Sequence, residues 1–84
     1  MLMWIMIRLT YAKEKAFLIF SYVQGGHSAI HRLTDMGLLP GEKIKIIHNT
    51  GIGPVTIEIK GSKVALGHGI AQKIMVEEVG NEKQ

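Results

Sequence analysis

The sequence predicts a mainly β fold, a small β-barrel with one or two short inserted helices. Segments typical of short strands recur along the chain and are separated by turn signals at intervals of about 8–12 residues. Apolar residues at helical spacing are confined to short stretches. A chain of 84 residues has room for one compact core, so we expect a single domain over residues 1–84.

The N-terminal segment, residues 1–8, is apolar up to Arg8. It is much shorter than the roughly 20 residues that a membrane-spanning helix needs. We therefore expect an apolar N-terminal strand, or an extension that another surface covers. Residues 15–23 follow, rich in aromatic and β-branched side chains with little alternation, and they predict a strand buried on both faces or nearly so.

A short helix is predicted from Ser28 to Met36. Ser28 has the side chain of an N-cap, and Gly37 supplies the residue that commonly ends a helix. The apolar residues that should face a core from this helix are Ala29, Ile30, Leu33 and Met36. Pro40 and Gly41 then predict a type II turn, because Pro fixes the first central φ and Gly accepts the positive second φ.

Two segments of alternating polarity, residues 42–48 and 54–60, predict a β-hairpin with a mobile, Gly-rich tip. The inward-facing residues are expected to be Ile44, Ile46, Val55, Ile57 and Ile59. The rest of the chain predicts a turn at residues 61–62, a strand at 63–66, a brief helical turn at 67–73, a last strand at 74–79 and a polar, frayed tail at 80–84.

The composition excludes several classes of site. The chain has no Cys, so disulfides, thiolate nucleophiles and Cys-ligated metal centres are ruled out. Its carboxylates are scattered along the sequence, whereas magnesium and calcium sites need clustered oxygen ligands. The sequence has no phosphate-binding loop and no pattern of a hydrolytic triad. We therefore expect a protein that is not an enzyme and that needs no cofactor.

The formal net charge of +3 leaves a small basic nucleic-acid-binding barrel as an alternative. Sequence-specific recognition of bases relies on the two-pronged hydrogen bonding of Arg side chains. This chain has two Arg residues, Arg8 and Arg32, and its other Lys and Arg positions are all Lys. Lys43, Lys45 and Lys60 alternate with apolar residues, which is typical of the solvent face of a sheet. Nucleic acid is therefore not the expected partner.

Four histidines are candidate ligands. His27 and His31 are four residues apart, with Asp35 four further on, and a helical His pair can chelate a transition metal. His27 is expected before the helix, however, so a solvated helix face is favoured, with weak transition-metal binding or a metal-sensing role as the alternative. His48 and His68 stand alone, without an acidic neighbour, and each is expected at the surface or hydrogen-bonded to local groups.

Residues 33–44 (LTDMGLLPGEKI), 53–61 (GPVTIEIKG) and 64–66 (VAL) together resemble the FeoA family, the small ferrous iron transport proteins A. The family pattern is similar to L-x-x-M/L-G-L-x-P-G-x-x-I/V, a loop with G-x-P-x-x-I-x-V/I-x-G, and a closing strand. The residues here that correspond to the motif are Met36, Gly37, Pro40, Gly41, Gly53, Pro54 and Gly61. The family usually begins L-x-x-L-x-x-G, and residues 9–16 contain no Gly, so we expect a first turn of different shape.

The resemblance implies an SH3-like β-barrel with a helix inserted after the first long strand. A related barrel occurs in metalloregulators of the diphtheria-toxin-repressor type. The resemblance also implies a non-catalytic, regulatory module of a bacterial ferrous iron uptake system. Such a module is cytoplasmic, does not span the membrane, and binds the cytosolic domain of the membrane transporter FeoB at the inner face of the membrane.

Leu38 and Leu39 are candidates for the partner-binding surface, since two consecutive Leu residues in a loop cannot both face one core. Together with Trp4, Ile5 and Ile47 they predict an apolar patch suited to docking or self-association. An uncovered edge of the N-terminal strand would favour a homodimer.

In the core of the motif, Met36 is expected to pack in the interior while Gly37 ends the helix.

Overall fold

The computed structural model describes residues 2–25 and 27–81, and at residues 2–4, 29 and 79–81 it describes only the backbone. The described residues contain six strands and two short helices. This confirms the mainly β prediction. The strands are β1 Leu2–Arg8, β2 Phe17–Val23, β3 Lys43–Asn49, β4 Val55–Ile59, β5 Ser62–Leu66 and β6 Ile74–Asn81. The helices are α1 His27–Asp35 and α2 His68–Ala71, and a 3₁₀ turn covers Leu9–Tyr11.

The strands form one antiparallel sheet in the order β1-β6-β2-β3-β4-β5. β3 and β4 form the predicted hairpin, and their apolar residues point inward as expected. The buried residues of these two strands are Ile44, Ile46, Val55, Ile57 and Ile59. Each fully buried Val or Ile stabilises the fold by about 1.5–3 kcal/mol relative to exposure, so these two strands make a large contribution to the core.

The prediction that β2 is buried on both faces is wrong. Leu18 and Phe20 are buried, but the Phe17 side chain is 62% exposed and that of Tyr22 is 45% exposed. An antiparallel sheet commonly packs one face on the core and leaves the other in water. The aromatic side chains on the open face obscured the alternation that β2 in fact has.

The turn between β1 and β2 is made without Gly. Lys15 adopts a φ of 71°, in the left-handed region that favours Gly. It stands where the family pattern L-x-x-L-x-x-G, counted from Leu9, has its Gly. The turn is joined to β3 on both sides, since the Lys15 N–H donates to the Ile46 carbonyl (2.7 Å) and the Ile46 N–H donates to the Ala16 carbonyl (2.9 Å).

Helix α1 begins at His27, one residue before the predicted N-cap Ser28, and it ends at Asp35. Gly37 ends it as expected, with a φ of 92°. The Gly37 N–H donates to the Thr34 carbonyl and the Leu38 N–H donates to the Leu33 carbonyl, both at 2.9 Å, which is the hydrogen-bond pattern of a Schellman motif.

Only part of the predicted inner face of α1 is buried. Leu33 is in the core, but Ile30 is 42% exposed, and Met36, which follows the helix, is exposed as well. The side chain of Ala29 lies outside the described residues. The expectation that Met36 packs in the core is therefore wrong: α1 ends before Met36, and it is Leu38 that reaches back against Leu33 from the helix end.

The two predicted turns around β3 and β4 are present. The Glu42 N–H donates to the Leu39 carbonyl at 2.9 Å and Gly41 has a φ of 91°, as a type II turn with Pro40 and Gly41 at its centre requires. The β4–β5 turn lies one residue earlier than predicted. Lys60 and Gly61 both have positive φ (50° and 84°), which is the requirement of the two-residue type I′ turn.

β1 and β6 pair along their whole length, from Leu2 opposite Asn81 to Arg8 opposite Met75. The predicted N-terminal strand is thus present, and β6 continues two residues into the predicted tail; residues 82–84 lie outside the described residues. β2 pairs with β6 only at residues 74–77. Residues 2–5 and 78–81 therefore form a two-stranded ribbon, which we call the β1–β6 ribbon. Among the described residues, no helix is long and apolar enough to cross a membrane.

Candidate protein-docking surface

An apolar pocket of about 160 Å³ lies between α1 and β2. Its residues come from both elements and from the turn after the helix: Phe20, Tyr22, Val23, Ile30, Leu33, Thr34, Leu38 and Pro40. We call it the helix pocket. Among the α1 side chains that the structure describes, only Leu33 is buried, whereas Ile30 lines the pocket and stays exposed.

The rim of the helix pocket carries large exposed apolar side chains. Tyr22 and Ile30 line the pocket and are each more than two-fifths exposed, and Leu39, which precedes the lining residue Pro40, is 45% exposed. Single exposed apolar residues are common, but a concave apolar surface with such a rim is typical of a site that receives a side chain of another molecule.

The lining of the helix pocket offers little reactive chemistry. Its only polar side-chain groups are the hydroxyls of Tyr22 and Thr34, and neither faces a carboxylate or imidazole within the pocket lining. General acid–base or nucleophilic catalysis needs a nucleophile or base held by a second polar group. The lining is therefore suited to binding an apolar side chain.

The residues predicted for the partner surface are not brought together. The Leu38 side chain is 1% exposed and forms the floor of the helix pocket, so it belongs to the core and is not available on the surface. Leu39 is exposed, as the Leu-Leu pair led us to expect. Ile47 is half-buried at a bulge in β3, away from the pocket lining, and the Trp4 side chain lies outside the described residues.

Tyr22 and Ile30 were missed as surface residues. Both were assigned to buried faces, Tyr22 because β2 was expected to be buried on both sides and Ile30 because it has core spacing in α1. If β2 is assumed to have one buried and one solvent-exposed face, alternation from the buried residues Leu18 and Phe20 assigns Phe17 to the open face. The same alternation does not assign Tyr22 to the surface. No signal in the sequence shows how deeply a short helix inserts.

The histidines do not form a metal centre in the described residues, where no group of three His, Asp or Glu side chains is arranged to hold an ion. His27 is the first residue of α1, so the expectation that it precedes the helix is wrong. His27, His31 and Asp35 all lie in α1 at four-residue spacing and are exposed. A solvated helix face stays the prediction for His27 and His31, with weak metal binding as the alternative.

His48 has an acidic neighbour, contrary to expectation. Its Nδ1 lies 3.1 Å from Oε2 of Glu14, a residue that the chain brings from the first turn. The same Glu14 oxygen accepts the Asn49 N–H at 2.8 Å, and the Asn49 side chain donates to the carbonyls of Thr10 and Ala12 at 3.1 and 2.7 Å. These bonds fix the first turn against the end of β3, so they serve the fold.

His68 lies at the start of α2 and is half-buried, not fully at the surface. Its Nδ1 is buried and has no hydrogen-bond partner among the described residues. No carboxylate or hydroxyl is paired with it there, so it lacks the geometry of a catalytic imidazole.

A second concave surface, open to solvent and about 320 Å³ in volume, lies on the solvent side of β2, β3 and β4. We call it the lysine groove; it is lined by Phe17, Lys43, Ile44, Lys45, Glu58, Lys60 and Gly61. Its lysines alternate with apolar residues in the sequence, which indicates only the ordinary solvent face of a sheet. The groove itself arises from the register of three strands, which the sequence alone does not define.

Comparison with known proteins points to one family. The profile of the FeoA domain matches residues 7–78. A protein of Methanocaldococcus jannaschii that carries the name Fe(2+) transport protein A is 44% identical over 81 residues, which are 94% of this chain and 98% of that protein.

Solved structures share the fold. The crystal structure of an iron uptake regulatory protein (FeoA) superposes with a TM-score of 0.81 at 30% identity and covers 90% of this chain and 100% of its own. A FeoA protein of Chlorobium tepidum gives 0.79 at 22% identity, over 92% and 74% of the two chains, and shows the fold alone. IdeR of T. acidophilum gives 0.79 at 26% identity, with only 34% of its length covered. The predicted SH3-like barrel with short inserted helices is confirmed.

Proposed function

This chain belongs to the FeoA family of ferrous iron transport accessory proteins, and from that membership we propose that it is a non-catalytic regulatory module that binds the cytosolic domain of the membrane transporter FeoB. It would act in the cytoplasm and reach the inner face of the membrane through this partner.

The observation that carries the proposal is the helix pocket with its exposed rim. A typical docking interface has a few apolar anchors at its centre and polar residues around it. Ile30 and Leu39 supply exposed apolar area, and the pocket floor at Leu33 and Leu38 is already fixed in the core. Because the floor is rigid, a partner side chain enters the pocket without ordering a new loop, and binding loses less conformational entropy.

The experiment is a pull-down of the transporter's cytosolic domain by the immobilised chain. We expect enrichment with the wild-type chain and at least a tenfold loss of affinity with Ile30→Glu or Leu39→Glu, because each places a charge in the apolar centre of the interface. Both side chains are exposed, so these substitutions leave the core intact. The matched control is Ile52→Glu at the β3–β4 tip, where the side chain is 87% exposed and binding should be unchanged.

We further propose that a second copy of this chain pairs with the outer edge of β1. β1 is at the end of the strand order, and its residues 2–7 include none of the Lys, Pro or bulge devices that usually protect an edge. The β1–β6 ribbon has only two strands, an arrangement that is marginally stable in water by itself. Antiparallel pairing of two β1 edges about a two-fold axis would extend it to four strands.

A further inference from the structure

The lysine groove combines positive charge with an exposed aromatic ring. Lys43 and Lys45 lie two residues apart on β3 and therefore share its solvent face. Phe17 is the neighbour of Lys45 on β2, and the Lys45 Nζ lies 5.4 Å from the centroid of its ring. The register of β3 and β4, which sets Ile44 opposite Ile59, brings Lys60 next to Lys43.

Two of these lysines are held in place by neighbours. The ring of Phe17 attracts the Lys45 ammonium through a cation–π contact. The Nζ of Lys60 lies 3.6 Å from Oε1 of Glu42. Lys43 is exposed and makes no ion pair among the described residues. The groove also includes Glu58, opposite Lys45, so its charge is positive but not uniform. Positioned cations of this kind favour a ligand with carboxylates at defined spacing.

We propose that the lysine groove binds an extended, acidic segment of a partner protein. Lys43 and Lys45 are separated by roughly 7 Å along β3, which is also the spacing of side chains at alternate positions of any extended chain. An acidic segment with carboxylates at every second residue therefore has the backbone spacing to bring one carboxylate to each of the two lysines. The exposed ring of Phe17 supplies an apolar floor for the methylene groups of that segment. The inference rests on the proposed function only in that the ligand is a protein.

The shape of the surface favours a peptide over a membrane. A bilayer is met by protruding apolar and basic side chains, whereas these lysines and Phe17 line a concave groove. Nucleic acid is less suitable for the same site, because the single aromatic ring in the lining offers one stacking position.

The test is fluorescence anisotropy with a labelled eight-residue peptide of alternating Glu and Ser, measured against the full chain at low and at physiological salt. The groove variant is Lys43→Gln with Lys45→Gln. The matched control is Lys13→Gln with Lys73→Gln, which removes the same charge from exposed lysines outside the groove. We expect the groove variant to weaken binding about tenfold and the control less than about twofold, since long-range charge is screened while contacts are lost outright.

Three results of these binding measurements would contradict the proposal. Equal weakening by the two double variants would show attraction by net charge alone. Tighter binding to vesicles containing phosphatidylserine, or to a single-stranded oligonucleotide, with the same dependence on Lys43 and Lys45, would assign the groove to a different ligand. None of these results tests binding at the helix pocket, because the transporter domain is absent from the experiment. Conversely, failure of the pull-down would contradict the proposed function without affecting the peptide result.

Discussion

At the scale of single residues, Lys15 shows how a fold is kept when its usual residue is missing. The first turn needs a positive φ, and the family pattern has Gly at this point. Here Lys15 takes the same kind of conformation with a φ of 71°. A left-handed conformation costs a residue with a Cβ about 1–2 kcal/mol, so the turn stores strain that the hydrogen bonds to Ile46 hold in place.

We therefore expect Lys15→Gly to raise the free energy of unfolding by about 1 kcal/mol, because relief of the strain exceeds the added entropy of the unfolded chain. Urea denaturation measures the change. Lys15→Ala is the control, since Ala keeps the Cβ and should give no such gain. A lower stability of Lys15→Gly than of Lys15→Ala would contradict the assignment of strain.

Side-chain partners that are distant in the sequence could not be predicted, whereas local backbone geometry could. The pairing of Glu14 with His48 joins residues that are far apart in the sequence, and no local pattern indicates it. By contrast, Gly37, Pro40 and Gly41 were placed correctly, because the φ of each position depends on neighbours in the sequence. Local geometry is therefore predictable here, whereas side-chain partners that depend on strand register are not.

At the scale of elements, α1 links the core to the helix pocket. It is anchored in its last turn by Leu33 and just beyond its end by the Schellman motif at Gly37 and Leu38. Ile30, which precedes both anchors in the helix, stays exposed and lines the pocket. The position of the helix end thus controls the shape of the candidate docking surface.

Replacing Gly37 tests this anchor. Its φ of 92° is strained for any other residue, although no atom lies within 4 Å of the place that a Cβ would occupy. We expect Gly37→Ala to lower the free energy of unfolding by about 1–2 kcal/mol through backbone conformation alone. The matched control is Gly69→Ala, which sits inside α2 in equally open space and should be neutral or slightly stabilising. Equal effects at the two positions would rule out a special role for the helix end.

The elements themselves were predicted well where polarity alternates and less well where it does not. β3 and β4 alternate cleanly, and their inward residues were identified from the sequence. β2 carries aromatic residues on its open face, so its pattern looked continuous and its burial was overestimated. The depth of α1 depends on packing against β2, and the helix ends before Met36. Helical spacing of apolar residues shows neither feature, so Ile30 and Met36 were assigned to the core.

At the scale of the whole molecule, the resemblance of residues 33–66 to one family was sufficient to predict the barrel, and the fold is confirmed by solved structures. The candidate surfaces were less predictable, because each depends on contacts between distant segments. The helix pocket forms between α1 and β2, and the lysine groove forms across three strands. The residues were visible in the sequence, but their assembly into concave surfaces was not.

The open edge of β1 leads to a prediction about assembly. Ile5 is exposed near the centre of that edge, so Ile5→Lys places a charge there in each copy of the chain, and two such edges repel when paired. We expect the wild-type chain to sediment as a dimer at micromolar concentration and Ile5→Lys as a monomer, with Ile52→Lys remaining dimeric. A wild-type chain that is monomeric throughout this range would contradict the proposed pairing.

The most direct test of the proposed docking is a nuclear magnetic resonance titration of the ¹⁵N-labelled chain with the transporter's cytosolic domain. We predict that the amide signals of Tyr22, Ile30, Thr34 and Leu39 shift with a common saturation curve, while those of the β3–β4 tip around Ile52 stay in place. Signals that remain unchanged at saturating partner, or shifts confined to the β3–β4 tip, would show that the helix pocket is not where this protein holds its partner.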